Sequence, residues 1–325
     1  MLFDILTRMP ALSRAEWSAA GPVAQWLVLV RGAVLAMTLA SAAIATLLAM
    51  ATGPVPPLHV LLLIVGLTTA HATNNLINDW VDWRQGVDDD NYFRTRYGTH
   101  ALMLSFVSER GFLAITLGTG AVAAACGLLL TFLVGIEVLA LMLVGAVFVL
   151  FYTWPLKHIG LGEISVLLVW GPLMIGGGFF VLTGTLTPDV IAISLAYGIA
   201  PTLVIFGKHI DKAAQDSALG IRTLPVLIGE SNARALSLLM LGGLWGAVIV
   251  LSITSAAGYW LLATLLSLPA AWRLCIALLA PLPPARPEHY PASIWPLWFS
   301  AHGFAFARSF GGWLMLALLI RLPWS

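Results

Sequence analysis

Charged residues are scarce in this chain. Asp, Glu, Lys and Arg make up 10% of its 325 residues, and hydrophobic residues make up 60%, whereas a typical soluble domain has about 25% charged residues. The alternating segments of about ten residues that mark a membrane β-barrel are also missing. Cys126 and Cys275, the two cysteines, lie within apolar runs, where a small apolar side chain is favoured over a disulfide or a ligand. An ordinary soluble fold is therefore excluded.

Apolar runs of about 20 residues, each able to cross a hydrocarbon layer of about 30 Å, recur along the chain. Their Ala, Leu and Val content favours helices, so the sequence predicts an all-α polytopic membrane protein with about nine transmembrane helices around a central cavity. Residues 1–22 lack the pattern of a cleaved signal and are predicted to form an interfacial helix. Residues 23–325 are predicted to form a single transmembrane domain. The predicted spans are 23–50, 58–80, 112–134, 136–152, 164–182, 190–208, 233–254, 260–279 and 299–320.

Lys and Arg residues concentrate in alternate loops of the predicted topology. The connections on the other side, at 51–57, near 135, at 183–189 and at 255–259, contain neither residue. By the positive-inside rule we expect a multi-pass protein of the cell (inner) membrane, with the N-terminus and the acidic motifs cytoplasmic and the C-terminus outside. Arg31 and Arg308 instead fall inside predicted spans, where a charged side chain needs a partner or a cavity.

A first polar constellation ends the second predicted span. Spacings of 4, 3, 1 and 3 residues place its five members on one stripe of a helix. Oxygen-rich groups without Cys suit a hard cation such as Mg²⁺, which bridges carboxylates to phosphates; the alternative is a solvated, capped helix end. In the loop that follows, only Asp88 is predicted to take part in the site, and His71 is interpreted as a hydrogen-bonded pocket residue. The five residues are His71, Asn75, Asn78, Asp79 and Asp82.

A second constellation ends the sixth predicted span. Lys208, Lys212 and Asp216 are four residues apart, and Asp211 and Gln215 form the neighbouring stripe. This mixture of cations and carboxylates fits a diphosphate that is contacted partly through a metal on Asp216 and partly by Lys208, Lys212 or Arg222. A set of salt bridges within the loop is the alternative.

These motifs resemble those of the UbiA-type intramembrane prenyltransferase superfamily, whose members carry an N-x-x-x-D-x-x-x-D type motif after helix 2 and a D-x-x-x-D type motif after helix 6. The segment 75–88 looks most like the branch that prenylates 1,4-dihydroxy-2-naphthoate on the way to menaquinone, and segments 152–163 and 220–226 resemble the same branch. The second motif departs from the pattern. The pattern expects an Asp at position 212, which is occupied by Lys212, and the Asp is found one residue earlier, as Asp211. A shift of one residue turns a helical side chain by about 100°.

The resemblance implies roles for individual residues. Asn75, Asp79 and Asp82 would hold one Mg²⁺, and Asp216 would serve a second, with either Asp211 reaching the metal or Lys212 replacing part of its charge. It also makes Tyr152 a site residue. The implied diphosphate contacts are Lys157, Arg94 and Arg222.

We therefore predict Mg²⁺-dependent transfer of a polyprenyl group from an allylic diphosphate to an aromatic quinone precursor, with release of pyrophosphate. The partners would be the polyprenyl diphosphate, a hydrophobic or aromatic acceptor and the lipid bilayer, with no nucleic acid. Three alternatives remain open: a terpene cyclase of the same fold, a prenyltransferase with a non-quinone acceptor, and, more remotely, an ion-coupled transporter.

Overall fold

The computed structural model describes residues 2–87 and 98–324, and the part of the chain it describes is helical and contains no strand. The helices are α1 (Leu2–Thr7), α2 (Arg14–Ala19), α3 (Pro22–Leu29), α4 (Gly32–Met50), α5 (Pro57–Arg84), α6 (Glu109–Val134), α7 (Ile136–Phe151), α8 (Gly162–Thr183), α9 (Pro188–Asp211), α10 (Ala213–Ala218), α11 (Leu224–Ile228), α12 (Glu230–Thr254), α13 (Gly258–Leu279) and α14 (Phe299–Arg321). A short 3₁₀ helix, Leu156–Ile159, precedes α8.

Eight of the described helices are long and apolar enough to cross a membrane. The fourth predicted span, 136–152, corresponds to α7, which has 16 residues. At 1.5 Å per residue α7 is about 24 Å long, shorter than a ~30 Å hydrocarbon layer. The nine predicted apolar segments thus appear as eight long helices and one shorter one.

The first predicted span, 23–50, is not one continuous helix. Arg31 adopts a left-handed conformation with φ 57° and separates α3 from α4. An L-residue in this conformation cannot continue a right-handed helix. Only α4 is long enough to be a span, and Arg31 lies at the corner between the two helices.

Helices α9 and α14 pack closely at the centre of the bundle. A Cβ placed on Gly207 would lie 2.6 Å from the backbone of Phe299, and one on Gly303 would lie 3.0 Å from the carbonyl oxygen of Leu203. The side chain of Tyr197 is buried and its hydroxyl donates to the carbonyl oxygen of Met37 at 3.1 Å, which ties α9 to α4. Small residues at these crossings allow the backbones to approach each other.

The N-terminal segment, predicted to be interfacial, packs against the bundle. Ile5 and Trp17 are buried, and the backbone N–H of Leu12 donates to Oγ1 of Thr99 at 2.8 Å. The helices α1 and α2 are separated by residues 8–13, with Ser13 forming a capping box with Glu16. The boundary at residue 22 stays a prediction, whereas the contacts show that the segment packs against the rest of the chain, with α1 against the transmembrane helix α4.

Candidate active site

A cavity of about 1850 Å³ opens between α4, α5, α6, α7, α8, α9 and α14. It exceeds the ~300–1,000 Å³ of most small-molecule pockets, so it has room for two substrates. Most of its lining is apolar, and the polar groups of the two constellations gather at one end. Arg31, Tyr152 and Lys157 lie with them. The polar lining residues of this end are Arg31, Asn75, Asn78, Asp82, Tyr152, Lys157, Lys208 and Lys212.

The first constellation lies entirely within α5, which continues four residues beyond the predicted span to Arg84. Each of the five predicted side chains on this stripe is buried. His71 forms a 2.8 Å hydrogen bond between its Nδ1 and Oγ1 of Thr38, and its ring meets that of Trp170 edge-on. His71 therefore has the contacts of a pocket residue, as predicted from its position.

Asp82 faces Lys157 across the cavity wall. The Lys157 Nζ donates to both carboxylate oxygens of Asp82, at 2.8 and 2.9 Å, and both residues are buried. Asn78 Nδ2 donates to Asp82 Oδ2 at 3.3 Å and to Thr153 Oγ1 at 3.1 Å. The 3₁₀ helix Leu156–Ile159 thus places the predicted diphosphate ligand Lys157 beside the first acidic motif.

Arg31 is a site residue that the motif analysis did not assign. Its guanidinium forms an ion pair with Asp79 and donates to Asn78 Oδ1 at 3.1 Å. Asn75 Nδ2 donates to the carbonyl oxygen of Val30 at 2.9 Å, which secures the same corner to α5. The signal in the sequence was a charge inside an apolar run, which required a partner.

The second constellation is split by the end of α9. This helix ends at Asp211, Lys212 has φ −115° and ψ 9°, and α10 begins at Ala213. Lys212 Nζ donates to Asp216 Oδ1 at 2.9 Å, and both side chains are buried. Lys212 therefore forms an ion pair with Asp216, and Lys212 lines the cavity.

Asp211 points toward α14. Its carboxylate accepts hydrogen bonds from the backbone N–H groups of Trp298, Phe299 and Ser300 at 3.0, 2.9 and 3.0 Å. These are N–H groups at the start of a helix, which lack partners within the helix itself. The one-residue offset in the second motif thus coincides with a capping contact, and the assignment of Asp211 as a metal ligand stays a prediction.

The remaining predicted site residues differ in their placement. Lys208 and Tyr152 line the cavity, whereas Arg222 is exposed and is not among the lining residues. Asp88 and Arg94 lie outside the described residues. Within residues 2–87 and 98–324, no three His, Cys, Asp or Glu side chains are grouped to hold a metal ion, and Asp79, Asp82 and Asp216 each face a cation instead.

Three further titratable groups lie beside this end of the cavity. His209 Nδ1 is 2.5 Å from Glu163 Oε1, and both side chains are almost completely buried. His158, next to Lys157, has its pKa lowered by burial and by the positive charge of Lys157. Glu163 ends the segment 152–163, and its pairing with His209, 46 residues away, has no signal in the sequence.

The model of the UbiA prenyltransferase family matches residues 34–295. The chain is 29% identical over 264 residues to the 1,4-dihydroxy-2-naphthoate octaprenyltransferase of Escherichia coli (strain K12), covering 79% of this chain and 82% of that protein. It is 30% identical over 172 residues to the human UbiA prenyltransferase domain-containing protein 1, covering 51% of this chain and 49% of that protein.

Solved structures share the fold at lower sequence identity. A UbiA homolog from Archaeoglobus fulgidus bound to GPP and Mg²⁺ aligns with a TM-score of 0.61 at 14% identity, covering 91% of this chain and 99% of that one. A UbiA homolog from Aeropyrum pernix K1 aligns with a TM-score of 0.62 at 15% identity, covering 87% and 97%. The family match over most of the chain, together with the helical bundle, leads to one conclusion: the chain belongs to the UbiA prenyltransferase family and is an intramembrane prenyltransferase.

Proposed function

We propose that the chain transfers a polyprenyl group from an allylic diphosphate to an aromatic quinone precursor of the 1,4-dihydroxy-2-naphthoate type, as part of menaquinone biosynthesis. The observation that carries the proposal is the polarity of the cavity, in which carboxylates and cations gather at one end of a long apolar space. An allylic diphosphate has the same division between a charged head and an apolar tail. The similarity to the Escherichia coli naphthoate enzyme supports the choice of acceptor.

The side chains at the polar end fit Mg²⁺ by their chemistry. They offer carboxylate and amide oxygens without sulfur, which are the ligands of a hard cation. We infer that Asn75, Asp79 and Asp82 hold one ion and that Asp216 holds a second. When bound, Mg²⁺ would neutralise charge on the diphosphate as it leaves.

Cations that face these carboxylates would change partners when the diphosphate binds. Lys157, Lys212 and Arg31 now face Asp82, Asp216 and Asp79, respectively. We infer that Lys157 and Lys212 turn to the diphosphate, because a diphosphate carries more negative charge than one carboxylate and offers more acceptor oxygens. Lys208, Arg94 and Arg222 are proposed as further diphosphate contacts, and Asp88 as a further metal ligand.

Transfer requires that the bond between C1 of the prenyl group and the diphosphate oxygen breaks, with both electrons leaving on pyrophosphate. A ring carbon of the acceptor then supplies the electron pair for the new carbon–carbon bond. The ring regains its aromaticity when that carbon loses its substituent, which is a proton that passes to pyrophosphate or, at the carboxylated position, CO2. The buried cations stabilise the departing charge in a site of low dielectric constant. The apolar walls exclude water from the allylic cation, and we infer that Tyr152, which lines the cavity, contacts this cation.

The membrane orientation is part of the proposal. The cationic loops favour a cytoplasmic N-terminus and cytoplasmic acidic motifs in the cell (inner) membrane, with the C-terminus outside. Fusions of a reporter that is active on one side of the membrane only, placed at the C-terminus and after α5, would test both positions. Activity of both fusions on the same side would contradict this orientation.

Purified protein in detergent with geranylgeranyl diphosphate, Mg²⁺ and 1,4-dihydroxy-2-naphthoate tests the reaction. We expect a prenylated naphthol and pyrophosphate, both lost with EDTA and in Asp79→Ala. Glu137→Gln is the matched control, because Glu137 is an exposed carboxylate at the start of α7, away from both motifs. Pyrophosphate with hydrocarbon products that need no acceptor would identify a terpene cyclase instead, and a prenylated product only with other acceptors would replace the acceptor class.

A further inference from the structure

Arg308 is a cation inside the transmembrane region that the reaction described above does not use. It lies nine residues after Phe299 in α14, which places it about 14 Å along the helix from that end. It falls between two contacts of α14 with α9, that of Gly303 with Leu203 and that of Gly311 with Tyr197. Arg308 therefore lies well below the polar end of the cavity.

The side chain of Arg308 is exposed and lines the same cavity, together with Pro201, Val204 and Phe304. Its guanidinium carbon lies 5.7 Å from the ring centroid of Phe304. With the residues that the structure describes, Arg308 makes no hydrogen bond and no ion pair. This contact with the face of Phe304 uses none of the N–H donors of the guanidinium, so they are available for a ligand.

Other cations that line the cavity have polar interactions already. Arg8 pairs with Asp4, Arg31 with Asp79, Lys157 with Asp82 and Lys212 with Asp216, and Lys208 also has an interaction partner. The acidic residues among the described lining are Asp4, Glu16 and Asp82, which belong to the N-terminal segment and to the first motif. Arg308 thus carries a charge that no described carboxylate at its level offsets.

A lone charge at such depth is costly unless an anion or a cavity compensates it. The diphosphate has its own cations at the other end of the cavity, and the prenyl tail is uncharged. The remaining anion that a substrate can supply is a carboxylate on the acceptor, and a guanidinium binds a carboxylate through two parallel hydrogen bonds. We propose that Arg308 binds the carboxylate of an aromatic acid acceptor and selects such acceptors over uncharged phenols.

This inference rests on the proposed function, so its test separates the two. Wild type, Arg308→Gln and Arg308→Lys are compared with 1,4-dihydroxy-2-naphthoate and with 1,4-dihydroxynaphthalene, which lacks the carboxylate. Arg321→Gln is the matched control, because Arg321 lies in the same helix and does not line the cavity. Binding of each acceptor is measured by tryptophan fluorescence without diphosphate, and KM and kcat are measured with geranylgeranyl diphosphate.

In Arg308→Gln we expect the dissociation constant and the KM for 1,4-dihydroxy-2-naphthoate to rise on the order of tenfold to a hundredfold. This is the range for a hydrogen bond to a charged group. The dissociation constant and the KM for 1,4-dihydroxynaphthalene should stay the same, as should the KM for the diphosphate. The ratio between the two acceptors is taken within one preparation, so partial misfolding does not change it. Arg308→Lys should recover part of the preference for the acid, because it retains the charge without the two parallel donors.

Equal losses for both acceptors, or no loss for either, would overturn the inference. The preference for the acid over the diol is also compared in nanodiscs with and without phosphatidylglycerol. A difference in this preference between wild type and Arg308→Gln that appears only with phosphatidylglycerol would overturn the inference, because Arg308 would then bind a lipid phosphate. If wild type binds the acid through Arg308 but forms no prenylated product, the inference stands and the proposed reaction fails. If Arg308→Gln cannot be purified, wild type must bind 1-hydroxy-2-naphthoate more tightly than its amide, and equal binding would refute the proposal.

Discussion

Lys157 and Asp82 form a buried ion pair, with the Lys157 Nζ 2.8 Å from one carboxylate oxygen and 2.9 Å from the other. The two residues are 75 positions apart in the sequence. Lys157 comes from the turn after α7, and Asp82 comes from the polar end of α5. This pair brings a proposed metal ligand and a proposed diphosphate contact together before any substrate is bound.

Removing one partner of this pair should lower stability and activity by separable amounts. We expect Lys157→Met to destabilise the protein by about 3–5 kcal/mol, because a buried carboxylate loses its counter-charge. Asp82→Asn/Lys157→Met should recover most of that stability while remaining inactive, because both proposed substrate contacts are lost. Thermal unfolding in detergent and pyrophosphate release measure the two effects. Full activity of the double variant would remove both residues from the proposed mechanism.

Asp211 should behave as a capping residue. We expect Asp211→Ala to lower the free energy of unfolding by about 1–2 kcal/mol, the range for loss of a helix cap. The Mg²⁺ concentration for half-maximal activity should be unchanged in this variant. Asp216→Ala is the matched comparison, and it should raise that Mg²⁺ concentration. An equal rise in both variants would show that Asp211 is a metal ligand after all.

The cation at position 212 should make the second motif less dependent on metal. Lys212→Asp places two carboxylates four residues apart, at 212 and 216, where like charges repel. We expect this variant to be less stable than wild type in EDTA and to gain more stability from added Mg²⁺. Lys212→Asn is the neutral control. Equal stabilisation of all three proteins by Mg²⁺ would contradict the placement of a second ion at Asp216.

Close packing at Gly207 should be intolerant of a methyl group. A Cβ there would lie 2.6 Å from backbone atoms of Phe299 and Ser300, and backbone cannot move aside as a flexible side chain can. We expect Gly207→Ala to destabilise the protein by about 1–3 kcal/mol, as overpacking does. Gly246→Ala in α12, where nothing lies within 4 Å of the added atom, should be neutral or stabilising by up to about 1 kcal/mol. Thermal unfolding of the two variants provides the comparison.

The spans and the location of the acidic motifs were predictable from the sequence because they depend on local composition. A run of apolar residues crosses a membrane whatever its neighbours are, and a stripe of Asn and Asp at helical spacing lies on one face wherever the helix packs. Helix α5 continues through its polar stripe for this reason. The interruption at Arg31 was not predictable from hydropathy, because Val23 to Met50 is apolar on both sides of the break.

The partners of the charged groups depended on tertiary structure. Arg31 meets Asp79 from 48 residues away, and Asp211 caps α14 through Phe299 from 88 residues away. Spacing along one helix gives the direction of a side chain but not which distant helix faces it. The chain's composition thus determined a membrane protein with its polar groups at one end. Only tertiary packing decided which carboxylates of α5 face Arg31 and Lys157, and that Asp211 of α9 holds the start of α14, since those pairings follow from the distances between elements far apart in the sequence.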